Sequence, residues 1–168
     1  MKNVFSKKEY PLFTSYSPLS RKGFTFIEVL VIVAVTAVIL SLSTGVFNKF
    51  NNNQALNNAT RDTLSLLEEA RSLTLASKNN DVYGVHFATN QVTRFRGNTY
   101  VTTSTDNYVI QLPSKISIEN ISLAGGGSDV IFKRLTGGTN YSGSVTLVVT
   151  NDAIASTTLT IHSTGLVE

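Results

Sequence analysis

The pattern of apolar and polar positions changes period along the chain and divides it into four parts. Residues 1–23 are polar, basic and unpatterned. Residues 24–47 form a continuous apolar run in which Glu28 is the one charge. A helix of that length, at about 1.5 Å rise per residue, spans a hydrocarbon core of roughly 30 Å. Residues 48–79 are polar with an apolar stripe. Leu56, Ala59, Thr63, Leu66, Leu67, Ala70 and Leu73 recur at helical spacings of three and four. Gly45 and the Asn51-Asn52-Asn53 tract are poor helix formers, yet nothing there stops a helix outright. The pattern predicts one helix from Phe24 to about Ser77, soft near 45–53. Its first half is apolar all round and its second half is amphipathic.

From residue 80 to 168 the period falls to two. Strands are predicted at 82–87 and 92–95, paired as a hairpin around Ala88-Thr89-Asn90. Further strands follow at 99–103, 108–112, 116–123, 129–133, 144–150 and 157–162. Turn material separates them: Gly125-Gly126-Gly127, Gly137-Gly138 and Asn151-Asp152. Short strands with tight turns imply a mostly antiparallel sheet, and the amphipathic half-helix supplies an apolar surface to cover one face of it. The fold class expected is α+β, a long N-terminal helix packed against a C-terminal antiparallel β domain.

Charge changes the picture at the front of the chain only. The net charge of +3 comes from Lys2, Lys7, Lys8, Arg21 and Lys22, opposed before Phe24 by Glu9 alone. The remainder is near neutral, so the basic balance describes a leader and does not argue for nucleic acid. The absence of Cys excludes disulfides, thiolate nucleophiles and Cys-ligated metals.

Glu28 poses the sharpest question. A carboxylate at the centre of a membrane helix costs about 2.5–3.5 kcal/mol on insertion scales, and less near an end. A secretory signal peptide, with Ser41-Leu42-Ser43 as small residues for cleavage, leaves Glu28 intruding in an overlong apolar run. A plain single-span anchor, with cations holding the N-terminus in the cytoplasm, explains orientation and leaves Glu28 without a role. The stretch Arg21-Lys22-Gly23-Phe24-Thr25-Phe26-Ile27-Glu28 resembles the class III signal of type IV pilins and type II secretion pseudopilins. That resemblance implies cleavage by prepilin peptidase between Gly23 and Phe24, N-methylation of Phe24, and pairing of Glu28 with the new ammonium of a neighbouring subunit. An unpaired buried charge costs several kcal/mol and pairing offsets much of it, so the pair acts as a register device. Two features depart from the family pattern: the leader is long, and Gly45 stands where many major pilins carry a helix-kinking proline.

The stretches LLEEARSLTL (66–75), DVIFKRLTGGTNYSGSVTLVV (129–149) and LTIHSTGLVE (159–168) are similar to H-type minor pseudopilins and FimT-like minor pilins. No acidic cluster in the late loops supports the calcium site of major pseudopilins.

Enzyme chemistry finds little support in the remaining residues. His86 and His162 each fall in a strand-like run, without a serine or acid at a recognisable triad spacing. Glu68 and Glu69 are adjacent on a helix and point in different directions, which suits a solvated edge. The glycine tracts open no helix and read as exposed loop tips rather than phosphate cradles. Arg94 and Arg96, on one face of a strand, and Lys133 with Arg134 offer too few convergent cations for nucleic-acid binding.

The reading is therefore a non-enzymatic filament subunit without cofactor or metal. It is anchored once in the bacterial inner membrane, with its N-terminus cytoplasmic and its β domain periplasmic or extracellular. Its expected partners are other pilins or pseudopilins, prepilin peptidase, the inner-membrane assembly platform and membrane lipid. Nucleic acid is not expected. The alternatives are a DNA-uptake minor pilin and a plain single-span anchor carrying a β domain.

Overall fold

The computed structural model describes residues 23–150 and 152–168, apart from the side chains of 42–46 and 152–154. The expected leader lies outside the described residues but for Gly23, and so does Asn151. The chain forms two compact units, Met1–Leu42 and Ser43–Glu168. One α-helix, α1, is assigned from Phe26–Leu75, through Gly45 and the asparagine tract.

In the first unit, every residue from 23 to 41 is exposed. Phe24 and Phe26 expose about four-fifths of their surface, at 78% and 84%. A helix apolar on all sides needs an apolar environment, and the described residues of this unit form no core of their own. The hydroxyls of Thr36 and Ser41 donate back to the carbonyls of Ile32 at 2.7 Å and Val38 at 2.8 Å, which hides their polarity. Among the described residues, no helix is long and apolar enough to cross a membrane. The predicted span at 24–47 includes residues 42–46, whose side chains are outside that description.

In the second unit, α1 buries Leu56, Ala59, Thr63, Leu66, Leu67 and Ala70, the predicted stripe. Leu73 is half-buried, and Thr74 beside it is fully buried. A short 3-10 turn at Lys78–Asn80 leads into two antiparallel sheets. The first has the order β3 (Tyr108–Gln111), β2 (Gln91–Arg96), β1 (Tyr83–Ala88), β5 (Asp129–Ile131). The second has the order β4 (Ile116–Leu123), β6 (Gly143–Val149), β7 (Asp152–Ile161). One apolar core joins Leu66 and Leu67 of the helix to Val85, Phe87, Val145 and Leu147 of the strands. The α+β class and the β1–β2 hairpin, with Ala88 opposite Gln91, are as predicted.

Two strand predictions need correction. Residues 99–103 form no strand; 97–107 cross the outer face of the first sheet as a strap. Tyr100 stacks on His86 with ring centres 3.9 Å apart and meets Phe95 edge-on at 5.6 Å. Asn107 donates to the carbonyls of Val101 at 2.8 Å and Thr102 at 3.3 Å, satisfying backbone that a strand would have paired. The β-forming composition of this segment is overridden by the need to cover Phe95. Gly84 makes that arrangement possible, since a Cβ there would lie 2.6 Å from the Phe95 ring. Secondly, β7 begins at Asp152 rather than 157, because an irregularity on β7, where the partners of Val148 and Val149 step from Ser156 to Asp152, lets the strand pair beyond the predicted start.

Candidate functional site: the start of the apolar helix

Gly23 and Phe24 precede α1, and Thr25 is its N-cap. The carbonyl of Thr25 accepts the first helical bond, from the Val29 N–H at 3.2 Å. The Glu28 N–H donates to Thr25 Oγ1 at 3.3 Å, and the Thr25 N–H donates to Glu28 Oε2 at 3.4 Å. This is a reciprocal capping box: two helix-start N–H groups that lack helical partners are satisfied by the two side chains. Glu28 lies in the first turn, where the positive end of the helix dipole also favours a carboxylate. The acid that seemed stranded in an apolar run thus has a partner within its own chain.

Thr25 was missed as a site residue on the sequence. The signal was present, because Thr-x-x-Glu ahead of an apolar run is the capping-box signature. Gly23 is exposed, and a Cβ built there meets nothing within 4 Å. The fold therefore makes no demand for glycine at this position. Phe24 is equally accessible, at the place where a peptidase would need the chain.

A family model for the prokaryotic N-terminal methylation motif matches residues 19–44. The chain carries a type IV pilin-like signal. The match brings Gly23, Phe24, Thr25 and Glu28 into one recognised segment, and supports prepilin processing, membrane anchoring and assembly with other pilins. Neither curated proteins nor solved structures returned a match.

The other candidates lie in the second unit and are not brought together. His86 Nδ1 is 2.6 Å from Asp129 Oδ1, and His162 Nε2 is 2.8 Å from Glu168 Oε1. The His86–Asp129 pair, 43 residues apart in sequence, was not legible from spacing. Among the described residues, no hydroxyl hydrogen-bonds either ring, and no group of three His, Cys, Asp or Glu is placed to hold a metal.

Arg94, Arg96 and Arg134 form contacts within the fold. Arg94 pairs with Glu69 of α1 and lies 5.2 Å over the Tyr108 ring. Arg96 reaches Asp81 at 3.0 Å and Asp106 at 3.5 Å. The Val82 N–H, at 2.9 Å, does most to hold the Asp81 carboxyl below its ordinary value; burial opposes it, and Arg96 and Arg134 add to the lowering. Arg134 donates to Ser77 Oγ at 3.2 Å and Asn80 Oδ1 at 2.9 Å.

Proposed function

We propose that the chain is a non-enzymatic filament subunit of the H-type minor pseudopilin or FimT-like minor pilin kind. Its leader is cut between Gly23 and Phe24, and Phe24 becomes the methylated N-terminus. It is held in the bacterial inner membrane by residues 24–47, with the leader in the cytoplasm and the β domain outside. Its partners are the peptidase, the assembly platform, lipid and neighbouring pilin-like subunits. In a secretion system the filament would push substrate outward; in a pilus the subunit would prime or cap assembly.

The observation that carries this reading is the reciprocal Thr25–Glu28 cap within the methylation motif. The cap gives the carboxylate a low-cost resting state at the edge of the apolar helix before assembly. Cleavage then creates an ammonium at Phe24, next to Thr25, and a neighbour's Glu28 exchanges its cap for that charge. Both contacts are charge-assisted, and the exchange is favoured once subunits meet because it pairs a full ammonium with the carboxylate and leaves neither charge alone in the apolar bundle. Occupied arginines weigh against the DNA-binding alternative.

N-terminal mass analysis of the membrane-extracted protein, with and without prepilin peptidase, tests the reading. A peptide starting at methylated Phe24, seen only with the peptidase, is expected. A chain starting at Thr44 would instead mean a conventional signal peptide. An intact Met1 chain with active peptidase would leave a simple anchor.

A further inference from the structure

Loop 133–138 holds Leu135 away from the molecule. Its side chain is 91% exposed, and its backbone φ is +72°, a left-handed conformation that is strained for a branched residue. The loop is clamped on both sides of this tip. Arg134 is bound to Ser77 and Asn80, and Arg71 Nε donates to the Gly137 carbonyl at 3.1 Å. Within the loop, the Gly137 N–H donates to Lys133 O at 2.9 Å and the Lys133 N–H to Gly138 O at 2.8 Å. A strained residue held by over-determined surroundings is a pattern of functional positions.

Next to the clamp is a cleft of about 340 Å³ between α1 and the closing segment, lined by Glu68, Ser72, Leu75, Leu166 and Val167, with Arg71. Gly137 and Gly165 bring loop and cleft together. A Cβ at Gly137 would lie 3.1 Å from Leu75, and one at Gly165 would lie 1.9 Å from the Gly137 carbonyl. Leu75 and Leu166 are exposed at the rim. The Glu68 side chain is exposed and has no hydrogen-bond or ion-pair partner among the described residues; the same holds for Lys133. An exposed apolar knob beside a cation therefore adjoins an apolar-rimmed cleft containing an unpaired acid.

We propose that this end of the β domain is a docking surface for a second copy of the chain. Leu135 of one copy enters the cleft of the other, and Lys133 of the first meets Glu68 of the second. Knob and cleft share one end of the molecule, so a two-fold arrangement lets each copy fill the other's cleft. The rim charges set register, while the leucine supplies the apolar contact. The inference is independent of processing at Gly23, and the test uses the full uncut chain.

The chain contains no cysteine, so introduced thiols report without background. Full-length copies with two different tags, one Leu135→Cys and one Ser72→Cys, are mixed in detergent and oxidised. A mixed disulfide is expected, well above that formed by Leu135→Cys with Glu119→Cys, an exposed position on β4. Adding Glu68→Lys to the Ser72→Cys copy should lower the yield by up to about fivefold, as for a rim ion pair. Lys133→Glu in the Leu135→Cys copy should restore it. Equal yields for the two cysteine pairs, or no mixed disulfide, would overturn the proposal. In the latter case, protection of the Leu135→Cys thiol by lipid vesicles would make the leucine a membrane contact instead.

Discussion

Gly23 has open space around it, so its side chain matters to whatever handles the chain and not to the fold. Gly23→Arg is therefore expected to leave stability unchanged and block cleavage; a product of wild-type size on a gel would count against this. Glu28 and Thr25 separate two roles. Glu28→Ala should be inserted and cut but be impaired in incorporation into filaments, and normal co-purification with filaments would sink the register role. Thr25→Ala keeps the carboxylate and removes the hydroxyl half of the cap. Loss of such a cap costs about 0.5–2 kcal/mol locally, so faster amide exchange at Glu28 is expected, with incorporation reduced less than in Glu28→Ala. Equal exchange rates would show the cap to be idle. Asp81 is one carboxylate whose protonation should weaken the β domain. Its folded value is depressed, so its stabilisation is complete above the ordinary value of 3.8 and is lost as pH falls through the lower folded value. Asp81→Asn should flatten the fall in melting temperature as pH drops below the ordinary value of 3.8. An unchanged slope would remove Asp81 from the acid transition.

At the scale of elements, Thr74 joins α1 to the first sheet. Its hydroxyl donates to Ala70 O at 2.8 Å and accepts the Tyr83 N–H at 2.9 Å, fully buried. Thr74→Val conserves shape and strands that N–H, at a cost of about 1–3 kcal/mol. Chemical denaturation of the full chain in detergent should show it, and a change within error would mean that Tyr83 N–H finds another partner. The helical stripe was readable from Leu56 to Ala70 because apolar spacing alone reports the buried face of a helix. Thr74 was not, because its burial depends on the entry of β1, which no local pattern encodes. Six of the expected strands were found in place for the same reason of local alternation. The segment 99–103 has the same kind of residues and became a strap, since Phe95 needed a cover and Gly84 gave its ring room.

At the scale of the molecule, the two units present different surfaces. The first is largely apolar and its described side chains are exposed, and the second closes a core and holds Arg94, Arg96 and Arg134 in internal contacts. Absence of salt-dependent binding to duplex DNA in a filter assay is expected, and affinity that falls steeply with salt would reinstate the uptake alternative. What the sequence determined by itself was local: the apolar run, the helical stripe, the alternating strands, and the methylation motif with its Gly23, Phe24 and Glu28. These features rest on near neighbours in the chain, whose spacing is visible without a fold. The capping box was equally local, and Thr25 was legible in principle. Only the tertiary structure decided the pairing of His86 with Asp129, the burial of Thr74, the absorption of Arg94, Arg96 and Arg134, and the display of Leu135 beside a cleft. Each of these joins residues distant in sequence, and which distant side chains meet is set by how sheets and helix close on one core, not by any spacing along the chain.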